Sequence, residues 1–347
     1  MKAVVCYGNG LVKHEEYETP QVKPGTVKVA VKAAGICGSD IPRAMENGAH
    51  SYPIVLGHEF AGIVEEVGQG VKSLQVGDHV AGVPLVPCHQ CVDCLNGNYA
   101  LCKNYSFIGS RQQGAFADYV VIPERNGFKI SPKINFEQGA LFEPSTVSLH
   151  ALRLADYQPG GVVAILGGGT MGVFALQWTK ILGAKKAVVF GRDKGHLGLS
   201  KRLGADAVIS TLDEDFMERA QDITDGRGFD YVFEAAGAIQ TMYYAFELAG
   251  NKSTICFIGT PKENLTFTPS LWENMNRKEF HMTGSWMSYS GDFPGSEWKM
   301  TNERFANGQL FFDPEMFYQT FEMKDAQEAF NLFKGNRKVK GRILLKN

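Results

Sequence analysis

Through roughly the first 150 residues, apolar and polar positions alternate in short bursts. TVKVAVKAAGIC sets its valines and alanines at every second position, and FAGIVEEVG, DHVAGVPLVP and GAFADYVVIP are brief β-rich runs bounded by Gly and Pro. A period of two with such punctuation predicts strands that bury one face. This stretch reads as an all-β lobe. From Val162 the texture changes: VVAILGGGTMGVFALQWTKILG, KAVVFGRDKGHLGLSKRLG, YVFEAAG and STICFIGT set apolar runs against glycine turns, and the first two lead on into helical patterns. Repeated strand, turn and helix predict an α/β unit, a parallel sheet with helices on both faces. The end of the chain, with AQEAFNLFKGN as a short helix before KGRILLKN, is expected to return to the first lobe. The expected domains are therefore a β-rich one over 1–150 and 291–347 and a doubly wound parallel-sheet one over 151–290.

Composition adds mostly exclusions. A chain of 347 residues that is 44% hydrophobic can bury two ordinary cores without covalent staples. Its 35 basic and 37 acidic residues nearly cancel and form no long run, so neither nucleic acid nor an anionic membrane surface finds an electrostatic footprint. No apolar stretch approaches the roughly 18 residues of a membrane span. The opening MKAVVCYGNG turns polar too early for a signal peptide. A cytoplasmic protein is expected.

The stretch CHQCVDCLNGNYALC holds Cys88, Cys91, Cys94 and Cys102, four of the seven cysteines. In a reducing compartment, thiols at short regular spacing point to a metal rather than to disulfides. C-x2-C-x2-C-x7-C suits zinc. Four thiolates close the tetrahedron and leave no open position, so this zinc holds a lobe together and does no chemistry.

In the second half, Gly167, Gly169 and Gly172 form G-x-G-x-x-G directly after an apolar run and before an amphipathic segment. That context gives each glycine a role in dinucleotide binding: a tight turn at Gly167, close approach to the pyrophosphate at Gly169, and helix-on-strand packing at Gly172. The backbone N–H groups of Thr170, Met171 and Gly172 open the helix toward the phosphates. The β-rich lobe offers a second set of metal-ligand types, Cys37 in GICGSD, His58 and Glu59 in LGHEFAG, and Glu143 in LFEPS. None is informative alone. As a set they describe an open catalytic zinc site with a position left for substrate.

These stretches, together with VGDHV, FEPSTVSLHA and RLGAD, run in one order along the whole chain, and in that order the protein resembles the medium-chain, zinc-dependent alcohol/polyol dehydrogenases. The resemblance implies a GroES-like β-rich catalytic domain joined to a Rossmann domain, two zinc ions per chain, and a homodimer or homotetramer acting on a small-molecule polyol. It assigns Cys37, His58 and Glu143 to the catalytic zinc, with Glu59 as an alternating ligand, Ser39 as the hydroxyl that relays the substrate proton, and Asp40 behind a ligand. Glu143 in place of a cysteine is similar to the sorbitol-type branch. That branch usually reads C-G-S-D-x-H, whereas Pro42 and then Arg43 stand here. Water, Ser39 or a cofactor ribose hydroxyl is left to carry the proton.

CGSDIPRAMENGAHSYPIVLGHEF, FIGSRQQGAFADY and GSWMSYSGDFPGSEW resemble a branch that oxidises a phosphorylated hexitol such as galactitol 1-phosphate to a keto-sugar phosphate. Arg43 and Arg111 lie in the matching segments as candidate phosphate ligands. An unphosphorylated polyol or L-threonine dehydrogenase is the neighbouring reading, and a zinc-independent NADPH quinone reductase a more distant one. For the cofactor, the family's usual acidic residue at the end of the second strand is replaced by Gly191, with Arg192 next and Lys194 near. Loss of the acid and gain of a guanidinium favour NADP over NAD. Asp193 is the feature that would favour NAD.

Overall fold

The computed structural model describes residues 1–334, 339 and 341–347 of the chain. It divides into two compact units, one of Met1–Glu143, Tyr289–Gly308 and Phe317–Asn347, the other of Pro144–Ser288 and Gln309–Met316. The first boundary thus falls at Glu143 rather than residue 150, and the return after residue 288 is interrupted by a short excursion. That excursion is held within the second unit by Gln177, which accepts from the Phe311 N–H at 2.6 Å and donates to its carbonyl at 3.3 Å. Arg202 pairs with Asp313 there at 3.2 Å.

The first unit is built on the strand Thr26–Ile36. Its alternating burial matches the alternating sequence, so one face is core. Glu59–Val67 and Tyr119–Pro123 pair with it antiparallel, and His79–Gly82 and Gly127–Lys129 extend the sheet beyond Glu59–Val67. On its other side lies the C-terminal strand Arg342–Lys346, followed by Phe317–Glu322. A second sheet of Leu11–Glu16, Lys2–Gly8 and Ile54–Val55 covers part of this core. The helix expected over AQEAFNLFKGN runs from Ala326 to Asn331. Gly335 and Asn336, at the end of that stretch, lie outside the described residues.

The second unit has six parallel strands in the order Ala207–Ser210, Lys186–Gly191, Val162–Leu166, Phe229–Glu234, Ala249–Phe257, His281–Gly284. Counted along the chain this is 3-2-1-4-5-6, the doubly wound order of dinucleotide-binding sheets. Val162–Leu166 is buried along its whole length, as a central parallel strand covered on both faces must be. No helix among the described residues is long and apolar enough to cross a membrane.

Candidate catalytic centre, zinc lobe and dinucleotide turn

Sheet register assembles the first site. Gly35 stands opposite Glu59 on the neighbouring strand, and on the other side Ile343 stands opposite Ile36. Cys37, the next residue, therefore leaves the sheet between Glu59 and Arg342. A Cβ at Gly35 would lie 2.8 Å from Glu59 Oε2, so only glycine leaves room for that carboxylate. The Cys37, His58 and Glu59 ligand atoms lie within 4.8 Å of one another.

Asp40 fastens the group from behind. Fully buried, it accepts from the Cys37 N–H at 3.0 Å through Oδ2, and its Oδ1 lies 3.4 Å from His58 Nδ1. That contact turns the other imidazole nitrogen toward Cys37, as a carboxylate behind a metal-binding histidine does. Phe107 packs edge-on against the His58 ring, centroids 5.5 Å apart. Arg342 donates to Glu59 Oε1 at 2.5 Å.

The electrostatics suit a cation. Burial alone would raise the Cys37 thiol, but the Arg342 guanidinium and His58 hold it down at about 6. Burial, and after it the charge of Glu59, lifts Glu143 to about 7. Glu59 Oε2, His58 Nδ1 and Asp40 Oδ1 are buried without an aligned hydrogen bond. One thiolate, one imidazole and a carboxylate are the donor set of an open zinc site, and this arrangement fits that metal. Glu143 sits in the first turn of the helix Phe142–Leu154, within electrostatic reach of Glu59, His58 and Arg342. Among the described residues the tight group contains Glu59 and not Glu143.

Of the two arginines expected near substrate, Arg43 is already engaged: its Nη1 donates to Ser39 O at 2.7 Å and to Ser39 Oγ at 2.9 Å. Arg111 is exposed, and its guanidinium lies over the Tyr105 ring, 4.5 Å from the centroid. Stacking occupies the face of the guanidinium and leaves its N–H edge open. The Arg111 N–H donates to the carbonyl of Phe107, the residue that touches His58.

The cysteine lobe closes on itself. Cys91 caps the short helix Val92–Leu95 that carries Cys94, and all four sulfurs lie within 4.8 Å of one another. Cys88 Sγ is 3.5 Å from Cys102 Sγ and 3.9 Å from Cys94 Sγ. A tetrahedron with Zn–S bonds of about 2.3 Å has edges of about 3.8 Å, whereas a disulfide needs about 2.05 Å. The N–H groups of Gln90 and Cys91 hold Cys88 down at about 6, while burial and neighbouring thiols push Cys94 up to about 12. Sulfurs this close ionise together only around a cation.

In the second unit Gly167 has φ +108°, and a Cβ at Gly172 would fall 1.7 Å from the Gly167 carbonyl oxygen. The turn and the close packing read from the motif are both there. Gly169 caps the helix Thr170–Ile181 with no side chain, so no capping side chain occupies the first-turn N–H groups, the arrangement that can receive a pyrophosphate. Gly191 ends the next strand beside this turn, and Arg192 follows it, exposed. Asp193 accepts from the His196 N–H at 3.0 Å and caps the helix Lys194–Arg202.

Two residues escaped the sequence reading. Arg342 carried no local signal, since its role arises only from the register of the last strand. Glu234 did carry one, an acid ending a buried strand. It is fully buried and accepts from the N–H groups of Ala236 and Gly237 and from the Thr241 hydroxyl, fixing the loop that packs on Gly167.

Residues 23–132 match the family model of the alcohol dehydrogenase GroES-like domain, and residues 170–303 that of the zinc-binding dehydrogenase. The chain is 39% identical over 315 residues to galactitol 1-phosphate 5-dehydrogenase of Escherichia coli K12, covering 90% of this chain and 91% of that one. The crystal structure of galactitol-1-phosphate dehydrogenase from Escherichia coli superposes with a TM-score of 0.94 at 37% identity, over 100% of both chains. A zinc-binding dehydrogenase from Sinorhizobium meliloti 1021, solved bound to NADP, superposes with a TM-score of 0.90 at 27% identity, over 100% of this chain and 99% of that one.

Proposed function

The chain belongs to the zinc-dependent medium-chain alcohol/polyol dehydrogenases, and within that family we propose that it interconverts a phosphorylated hexitol, such as galactitol 1-phosphate, and its keto-sugar phosphate with NADP. The observation that carries the phosphate is Arg111. Its loop bears Phe107 against the catalytic histidine, and the stack on Tyr105 sets its N–H edge for an anion. The 39% identity to the galactitol 1-phosphate enzyme supports the same substrate.

Cys37 and His58 hold the catalytic zinc, with Glu143 as the third ligand and Glu59 as its alternate. Cys88, Cys91, Cys94 and Cys102 hold the structural one. The bound groups supply Lewis acidity at the substrate oxygen and an acceptor for the hydride. The protein's own residues do the rest. Asp40 fixes the orientation of His58 and the backbone of Cys37, Arg342 balances the buried Glu59, and Ser39 offers an exposed hydroxyl two residues from Cys37. For the cofactor, Asp193 caps the helix through Oδ1, and the exposed Arg192 is the residue that would meet a ribose 2′-phosphate. The Sinorhizobium meliloti structure with NADP supports that preference.

Initial rates on galactitol 1-phosphate, galactitol, sorbitol, ribitol and L-threonine with each nicotinamide cofactor test the reading. The highest kcat/KM is expected for the hexitol phosphate with NADP. Equal kcat/KM on galactitol and its 1-phosphate rejects the phosphate site.

A further inference from the structure

We infer that Arg43 is a positioning residue for Ser39, fixing the serine hydroxyl as an outward-facing donor at the catalytic centre, and is not a ligand of the substrate phosphate. The inference rests on the proposed role of Ser39 at the substrate oxygen.

Ser39 occupies the N-cap of the helix Asp40–Met45, where a serine oxygen ordinarily accepts from a first-turn N–H and stabilises the helix. Here it makes no such bond. Its Oγ accepts instead from Nη1 of Arg43, one turn further along, at 2.9 Å, and the same Nη1 donates to the Ser39 carbonyl at 2.7 Å. The two hydrogens of that nitrogen are thereby both used on one residue. The same Nη1 lies 3.7 Å from the buried Asp40 carboxylate, and the Arg43 backbone is held where its carbonyl accepts from the Tyr52 hydroxyl at 2.5 Å.

Donor and acceptor chemistry gives this arrangement a direction. A hydroxyl has one proton and two lone pairs, while a guanidinium has only donors. With one lone pair taken by Arg43, the Ser39 proton cannot point at Arg43. The remaining lone pair and the proton are left for other partners, and Ser39 is exposed to receive them. This is the pair needed to accept a hydrogen bond from an alcohol while passing a proton to water, or to donate to a ketone oxygen in the reverse direction. Because Arg43 has no lone pair, no proton travels along the helix through it. In oxidation the proton lost by the alcohol reaches water at Ser39 itself, one proton taken up by Oγ as one is released.

A double-mutant cycle of Ser39→Ala, Arg43→Ala and the pair, in the zinc-loaded enzyme, tests this on whichever polyol turns over, so that a wrong substrate assignment does not disturb it. The expected result is a loss in kcat of about 10- to 100-fold for Arg43→Ala, typical of removing one charge-assisted hydrogen bond, with little change in KM. Ser39→Ala with Arg43→Ala should be no slower than Ser39→Ala alone. Added guanidinium, well below unfolding concentrations, should restore part of the Arg43→Ala rate and none of the Ser39→Ala rate. Arg43→Gln serves in the same cycle if Arg43→Ala does not fold. An Arg43 penalty that persists in full without Ser39 overturns the inference. So does a penalty seen as raised KM for phosphorylated polyols only, which makes Arg43 a phosphate ligand, or a loss of zinc that accounts for the lost rate.

Discussion

The guanidinium of Arg342 lies 2.5 Å from the carboxylate of Glu59, although 283 residues separate them in the chain. Only 12% of the arginine side chain is exposed and none of the glutamate's. A buried pair of this kind adds little over a well-packed apolar pair, but removing one partner strands the other charge. Arg342→Ala is therefore expected to lower the unfolding free energy by about 3–5 kcal/mol. Urea titration of the zinc-loaded enzyme measures it, and a loss under about 1 kcal/mol would mean that solvent screens the pair.

The two metal centres should fail differently. Cys91→Ser opens a closed site and should lower the melting temperature, with zinc content falling from two ions per chain to one. Cys37→Ser should abolish turnover yet leave the melting curve and cofactor affinity nearly intact. Metal analysis, calorimetry and initial rates on the same preparations separate the two, and a normally active Cys37→Ser would remove Cys37 from the centre.

Arg111→Ala should weaken the phosphorylated hexitol by about 1.5–3 kcal/mol in kcat/KM, the range for a hydrogen bond to a charged group, and leave the free hexitol unchanged. A parallel loss on both substrates would mean that the Tyr105 stack shapes the loop and does not bind phosphate.

At the cofactor turn, Arg192→Ala should reduce kcat/KM for NADP and spare NAD. Asp193→Ala should instead appear in stability, at about 0.5–2 kcal/mol for the lost cap, with the cofactor ratio unchanged. Steady-state rates with both cofactors, set beside denaturant titrations, decide between the two roles. A preference for NAD in the unmutated enzyme places Asp193 at the ribose.

The parts of the site that could be read from the sequence are those whose geometry is local. Gly167, Gly169 and Gly172 lie within six residues, so strand, turn and helix constrain them together. The four cysteines are equally compact. Cys37 and His58 could be named singly, but their meeting depends on the register that sets Gly35 opposite Glu59. Arg342 was invisible because a lone basic residue before an apolar strand marks nothing until that strand is placed beside Ile36. The contact of Arg43 with Ser39 was hidden for a related reason: without the helix Asp40–Met45 their four-residue spacing has no meaning, and the positive charge alone suggests an anion. The division between the compact units at Glu143 lies a few residues before residue 150, inside the helix Phe142–Leu154, and nothing in that helix's composition marks it.

The strand Arg342–Lys346 fills the place between Thr26–Ile36 and Phe317–Glu322. During synthesis the whole dinucleotide sheet, complete by Gly284, leaves the ribosome before that strand does. Until then the catalytic sheet has an open edge at Ala33–Ile36, and Glu59 lacks its Arg342 partner. The nascent chain can therefore complete the dinucleotide sheet before Glu59 gains its buried partner. A product cut short before residue 342 would be expected to bind nucleotide while offering an exposed strand edge to other chains, the condition that favours aggregation over repair.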